Sequence, residues 1–137
     1  MNLSSNEVSI QAKDEVVFEM LSNCNNFKQY VPEIQNWTST EDSCAFSIQG
    51  VGEVKMNIVE KKAFSSVIFD VKNQQINSLS ISFAIINKNA SSLLSGHSNI
   101  EIPFFVAQMI KPSLQKFLNT MVERIKIAIE NKVDLSV

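Results

Sequence analysis

His97 is the only histidine among 137 residues, so any imidazole chemistry, whether proton transfer or metal ligation, would run through that one ring. It stands in the segment Leu94 to Ile102, where Leu94, Ile100 and Ile102 mark one face of a period-two pattern. Position 97 therefore falls on the opposite face with Ser95 and Asn99, and an outward, solvated histidine is expected. Metal ligation needs a cluster, and neither a second histidine nor a ligand-spaced cysteine pair is present. Cys24 and Cys44 read as two reduced structural thiols, one in a helical segment and one in a strand.

Carboxylates are the other candidates for proton transfer. Glu53, Glu60, Asp70 and Glu101 lie in or beside apparent strands. Asp70 sits between Phe69 and Val71, and Glu101 between Ile100 and Ile102, so both face away from the apolar rows. Glu53 follows Gly52 at a turn and has no assigned direction. General acid–base catalysis needs a titratable group held at the substrate, and the pattern supplies no inward carboxylate. There is no GxSxG elbow and no serine–histidine–acid arrangement. The sequence thus assigns no catalytic residue, no metal and no cofactor.

The composition narrows the class further. Twelve basic and fourteen acidic residues are interspersed and leave a formal charge of -2, so no positive field exists to attract nucleic-acid phosphates. Hydrophobic residues make up 45% and charged residues 19%, with three glycines and three prolines, which fits one globular domain over 1–137. Its ends, 1–6 and 133–137, are expected to fray. No run of about 18 apolar residues occurs, and Met1 to Asn6 lacks a signal-peptide pattern. A cytoplasmic protein without stable membrane insertion is expected, which also sets aside the glycosylation patterns at Asn36 and Asn89.

Hydrophobic periodicity supplies the elements. Val8, Ile10 and Ala12 alternate as a first strand; Lys13-Asp14-Glu15 then places acids where a helix begins, with Val16, Val17, Met20 and Leu21 on one face. Asn23 to Asn26 interrupts it, Phe27 to Val31 suggests a short helical turn, and Pro32 ends that turn. From Ile34 the period is two for about 70 residues, which divides into six strands. Turns are expected at Gly50-Val51-Gly52, Lys61-Lys62-Ala63, Asn73 to Asn77 and Asn87 to Ser91. Ile102-Pro103-Phe104 then opens a long amphipathic helix to about Asn131. Its stripe is Ile110, Leu114, Phe117, Leu118, Met121, Val122, Ile125 and Ile129. Phe105 and Met109 fall off that stripe, and Pro112 removes a backbone donor, so a kink or register change is expected there. The fold class is α+β.

This β-α-α-β6-α order resembles the START-like superfamily, which includes the Bet v 1-like and polyketide cyclase families. The resemblance covers nearly the whole chain. It is carried by the opening Ala12 to Ser22, the Phe27 to Pro32 segment, the strand end Phe46-Ser47-Ile48-Gln49-Gly50, and Ile102-Pro103 ahead of the last helix. It implies a helix-grip architecture, with a seven-stranded curved antiparallel sheet wrapped around the long terminal helix. It also implies a cavity between sheet and helix for lipids, polyketides or other apolar molecules.

Phase analysis points Phe46, Met56, Phe69, Phe83, Leu114, Phe117 and Met121 into that space as candidate ligand-lining residues. Such side chains can line a cavity and can equally fill one. The leading expectation is binding of a small apolar molecule, with an entrance near Phe104 to Ile110. Two alternatives stay open: a cyclase- or dehydratase-like enzyme using the same cavity, which needs a buried titratable group, and a protein-interaction module with a filled core. Trp37 could serve a pocket mouth, an interface or the core, and a homodimer is compatible with the sequence.

Overall fold

Alternation of apolar and polar residues over successive short runs forces a sheet with one buried face, and the chain realises it as an antiparallel meander. The computed structural model describes residues 2–30, 34–48, 52–73 and 76–135. The strands are β1 (Asn2–Ser4), β2 (Val8–Ile10), β3 (Ile34–Ser39), β4 (Ser43–Ile48), β5 (Gly52–Lys62), β6 (Ser66–Asn73), β7 (Ile76–Lys88) and β8 (Ser91–Ile100). The helices are α1 (Asp14–Leu21) and α2 (Phe104–Leu135), with a 3-10 turn at Cys24–Gln29 between α1 and β3.

The sheet order is β1-β8-β7-β6-β5-β4-β3, with β2 also paired to β8. Asn2 to Ser4 pair with Asn99 to His97, and Val8 to Ile10 with Leu94 to Ser92. The two short strands therefore share one edge position, and eight strands fill the seven places of a curved helix-grip sheet. Asn2–Ser4, expected to fray, is held because its outward polar residues flank Leu3, which is buried.

Local chemistry explains the other departures from the sequence reading. β5 does not break at Lys61-Lys62: it runs to Lys62, absorbs a register shift between Ile58 and Glu60, and turns at Phe64 with φ 64°. Bulges of this kind let a strand stay paired while one residue, here the exposed Val59, is turned out. Cys24 to Asn26, expected to interrupt the helical pattern, instead begin the 3-10 turn, capped by Asn23 whose side chain accepts from the Asn25 amide. Asn89, at φ 70°, turns β7 into β8. The connections at residues 31–33, 49–51 and 74–75 lie outside the described residues.

α2 runs from Phe104 to Leu135 as one helix with Pro112 inside it. Proline has no amide hydrogen, so the Gln108 carbonyl lacks its usual helical donor there. The helix continues three residues, to Leu135, into the tail expected to fray from Val133.

Candidate functional site

Burial along α2 changes sharply on one face. Leu118, Met121, Val122, Ile125 and Ile129 are buried, whereas Ile110, Leu114 and Phe117 are half-buried. At the start of the helix Phe104, Phe105 and Met109 are 78%, 70% and 76% exposed. Side-chain bonds hold the covered part to the sheet edge. Gln115 Nε2 donates to the Ser4 carbonyl at 2.7 Å, and Asn119 Oδ1 accepts from the Asn6 amide at 2.8 Å. Further along, Lys126 Nζ donates to the Ser9 carbonyl at 2.6 Å, and Glu130 Oε2 accepts from the Gln11 amide at 2.9 Å. All four anchors lie at or beyond Gln115. The rear of α2 is thus seated on β1, β2 and β8, while its front carries apolar side chains that the sheet does not cover.

The facing wall has the same division. Phe27 stands edge-on to Tyr30 and to Phe69, each at 5.1 Å between ring centroids, and Phe69 stands edge-on to Phe83 at 5.9 Å. These four rings are fully buried and close-packed, and Phe83 and Leu118 both approach Gly96. Nearer the front, Val54, Val71 and Leu79 keep 8%, 6% and 6% of their surface, a trace of access absent from the row behind. Trp37 stacks on Phe46 at 5.6 Å and is half-buried. Its indole nitrogen donates to Ser39 Oγ at 3.1 Å, and Ser39 donates to Asn25 Oδ1 at 2.6 Å, so the ring orientation is fixed.

All seven residues singled out from phase lie in one apolar cluster with these side chains. Phe69, Phe83 and Met121 are fully buried in it. Phe46 and Met56 are buried as well, whereas Leu114 and Phe117 are half-buried. Val54, Val71 and Leu79 stand on the same alternating rows as the candidates and keep a little more surface than their neighbours. Trp37 could be placed only by its stacking partner, which no local pattern reveals.

The described carboxylates, the lysines and the histidine keep out of this interior. Glu53, Glu60 and Glu101 are exposed, and Asp70 lies on the outer face with Lys72 Nζ at 3.9 Å. His97 also faces outward, half-buried, with Ser4 Oγ 3.0 Å from Nδ1 and Ser95 Oγ 3.0 Å from Nε2. It borders a shallow outer-face hollow of about 210 Å³ with Ser4, Ser80, Ser82 and Asn99. Among the described residues, the buried polar side chains outside the aromatic cluster are Ser92, which donates to the Ala12 carbonyl at 2.8 Å, and Ser98. No described charged side chain is buried.

Cys24 and Cys44, separated in sequence, meet inside. The Cys44 thiol donates to the Cys24 sulfur; that bond pulls Cys24 below its ordinary value and, with burial, pushes Cys44 far above. Burial alone pushes the Tyr30 hydroxyl up, so it is protonated at neutral pH. Among the described residues no group of three or more His, Cys, Asp or Glu side chains could hold a metal ion. Nor is any described helix long and apolar enough to cross a membrane.

An α+β chain whose curved sheet grips a long terminal helix has the START-like fold, and solved structures agree. A START superfamily protein from Mycobacterium smegmatis superposes with a TM-score of 0.66 at 14% identity, covering 99% of each chain. Norcoclaurine synthase from Thalictrum flavum, solved with dopamine and hydroxybenzaldehyde, gives 0.73 at 8% identity over 94% of this chain and 86% of its own. The Aha1 dimer from Colwellia psychrerythraea gives 0.64 at 15% identity over 95% and 96%. No protein-family model and no curated protein matches the sequence. At these identities the likeness fixes the fold and leaves the activity to be argued from the residues.

Proposed function

We propose that this chain binds a small hydrophobic molecule between the front half of α2 and the concave face of the sheet. The observation that supports it is the change in burial at Leu114 to Leu118, where a continuous apolar helix leaves a filled core and ends in exposed Phe104, Phe105 and Met109. Apolar burial provides affinity in such a site, and a few polar groups set orientation. The walls are Phe46, Val54, Val71, Leu79, Leu114 and Phe117, with Met56 at the floor and Trp37 beside Phe46. Phe69, Phe83 and Met121 support the floor from behind. Covalent chemistry is not required, and an enzymatic role would rest on Tyr30, whose raised pKa suits a donor better than a base.

Trp37 is the only tryptophan, so it reports on the site directly. Titration with the neutral dye phenylnaphthylamine should quench Trp37 by energy transfer and saturate at one molecule per chain. Leu114→Trp, which fills the proposed space from a half-exposed position, should abolish uptake without unfolding the chain. Absence of saturable uptake, or uptake indifferent to Leu114→Trp, refutes the proposal. Native mass spectrometry of freshly purified protein reads a retained ligand. It also reads a second possibility favoured by the exposed Phe104, Phe105 and Met109, a homodimer through the front of α2.

A further inference from the structure

Cys24 and Cys44 are brought together by contacts that do not involve their sulfurs. The Cys24 amide donates to the Glu41 carbonyl at 2.7 Å, at the turn between β3 and β4. Beside it, Asn25 Oδ1 accepts from Ser39 Oγ at 2.6 Å, and Ser39 is the cross-strand partner of Cys44. The start of the 3-10 turn is thus tied to both strands of the hairpin that carries Cys44. Within that frame the two side chains meet, and the Cys44 thiol donates to the Cys24 sulfur.

Among the described residues no third His, Cys, Asp or Glu joins the pair in a group that could hold a metal ion. What two thiols in contact can do by themselves is lose their hydrogens and join. The hydrogen bond decides which sulfur attacks, because it favours the thiolate at Cys24 and holds the proton on Cys44. Asp42 and Lys61, paired to each other at 2.8 Å, act on Cys24 in opposite senses and leave that preference in place. Glu41 and Asp42 are exposed, so the pair lies directly beneath a surface turn, and Cys44 keeps 4% of its own surface. Local opening of such a turn admits a molecule the size of hydrogen peroxide and excludes an aromatic reagent.

We propose that Cys24 and Cys44 form a reversible disulfide site whose oxidant is hydrogen peroxide. The Cys24 thiolate attacks one peroxide oxygen and the O–O bond breaks. Cys24 becomes a sulfenic acid, and the departing hydroxide takes up the proton that Cys24 gave up, leaving as water. The Cys44 sulfur then attacks the Cys24 sulfur and expels hydroxide, which takes the Cys44 proton and leaves as a second water. Two thiols lose two electrons, and one peroxide is reduced to two waters. The loop so closed, from Cys24 to Cys44, contains Tyr30 and the whole of β3 with Trp37. In the reduced chain Trp37 reaches the 3-10 turn only through Ser39 and Asn25; the disulfide would add a covalent tie beside that chain of hydrogen bonds.

The test is brief exposure of the folded, reduced protein to hydrogen peroxide, followed by denaturation in iodoacetamide and peptide mapping. The Cys24 and Cys44 peptides should appear joined within one chain, lighter by two hydrogens than the reduced pair, and dithiothreitol should restore both thiols. Cys44→Ser should stop at a sulfenic acid on Cys24 that dimedone traps, whereas Cys24→Ser should leave Cys44 reduced. The exposed Met109 reports in the same map that the oxidant has acted, by becoming a sulfoxide. Met109 sulfoxide with both cysteines still alkylated, a disulfide that forms only after unfolding, or one that joins separate chains overturns the proposal. Equal oxidation of the remaining cysteine in the two variants overturns the assigned order of attack. The wild-type map decides the disulfide by itself, so it holds even where a variant fails to fold.

Discussion

Replacing Leu118 by alanine tests whether the rear of α2 is the structural anchor and its front the adaptable part. Leu118 is fully buried, and beneath it lies Gly96, which has no side chain to move into the space vacated. A Leu→Ala cavity that cannot collapse costs about 3–4 kcal/mol. At roughly 2.1 cal/mol/K of unfolding entropy per residue, 137 residues give roughly 290 cal/mol/K, so Tm falls by about 10 °C. Leu114→Ala, from a half-buried position, should cost only about 1–1.5 kcal/mol and about 4 °C. The pair should also separate in function: Leu114→Ala enlarges the proposed site and preserves dye binding, whereas Leu118→Ala acts on stability. Adding Gly96→Ala to Leu118→Ala should restore about 0.8 kcal/mol, one buried methyl, because the new Cβ enters the vacated space. In the wild type the same methyl meets the Phe83 ring at 3.4 Å and gains nothing. Differential scanning calorimetry of the wild type and these four variants measures the losses, and dye titration reads the binding. Equal losses from Leu114→Ala and Leu118→Ala, or strictly additive effects of Gly96→Ala, would refute the division of the helix.

Three further predictions concern other parts of the chain. Partial burial raises the Glu130 pKa, but bonds from Lys126 Nζ at 2.8 Å and the Gln11 amide at 2.9 Å outweigh it, and the net shift is downward. Its contribution is therefore present at neutral pH and is lost as pH falls below the ordinary 4.5 through the lower folded value. Glu130→Gln should cost about 1 kcal/mol at pH 7 and flatten the acid limb of a Tm–pH profile; an unchanged limb contradicts this. Pro112→Ala should raise Tm by returning a donor to the Gln108 carbonyl, worth about 1–3 kcal/mol, and should slow dye uptake in stopped flow by stiffening the front of α2. Finally, Cys24 and Cys44 are both buried, so an aromatic disulfide reagent should label neither in the native protein and both after unfolding.

The β-α-α-β6-α order was legible because its signals are local. Val67, Phe69 and Val71, or Leu79, Ile81, Phe83 and Ile85, declare their faces by alternation alone, and the stripe from Leu118 to Ile129 declares its own by helical period. What could not be read depends on contacts far apart in sequence. β1 is three residues long and exists because β8 offers Asn99 to His97 as a template. The meeting of Cys24 with Cys44 likewise follows from how the 3-10 turn docks on β4. The candidate site was half legible: phase gave the inward direction of all seven candidate residues, but only packing shows that Phe69, Phe83 and Met121 are fully buried while Leu114 and Phe117 keep part of their surface.

Both free edges of the sheet are interrupted. On one side Ser5 to Glu7 divide β1 from β2. On the other, β3 shifts register between Gln35 and Thr38, with Asn36 at φ 56°. An intact edge is a template on which a second chain can add a strand, and a meander this rich in alternating apolar residues would be especially open to such growth. Broken edges close that route and keep the hydrogen-bonding capacity of the sheet to itself. Contact between copies, or with another protein, is left to side chains rather than backbone, and the exposed aromatic start of α2 is where it would be made.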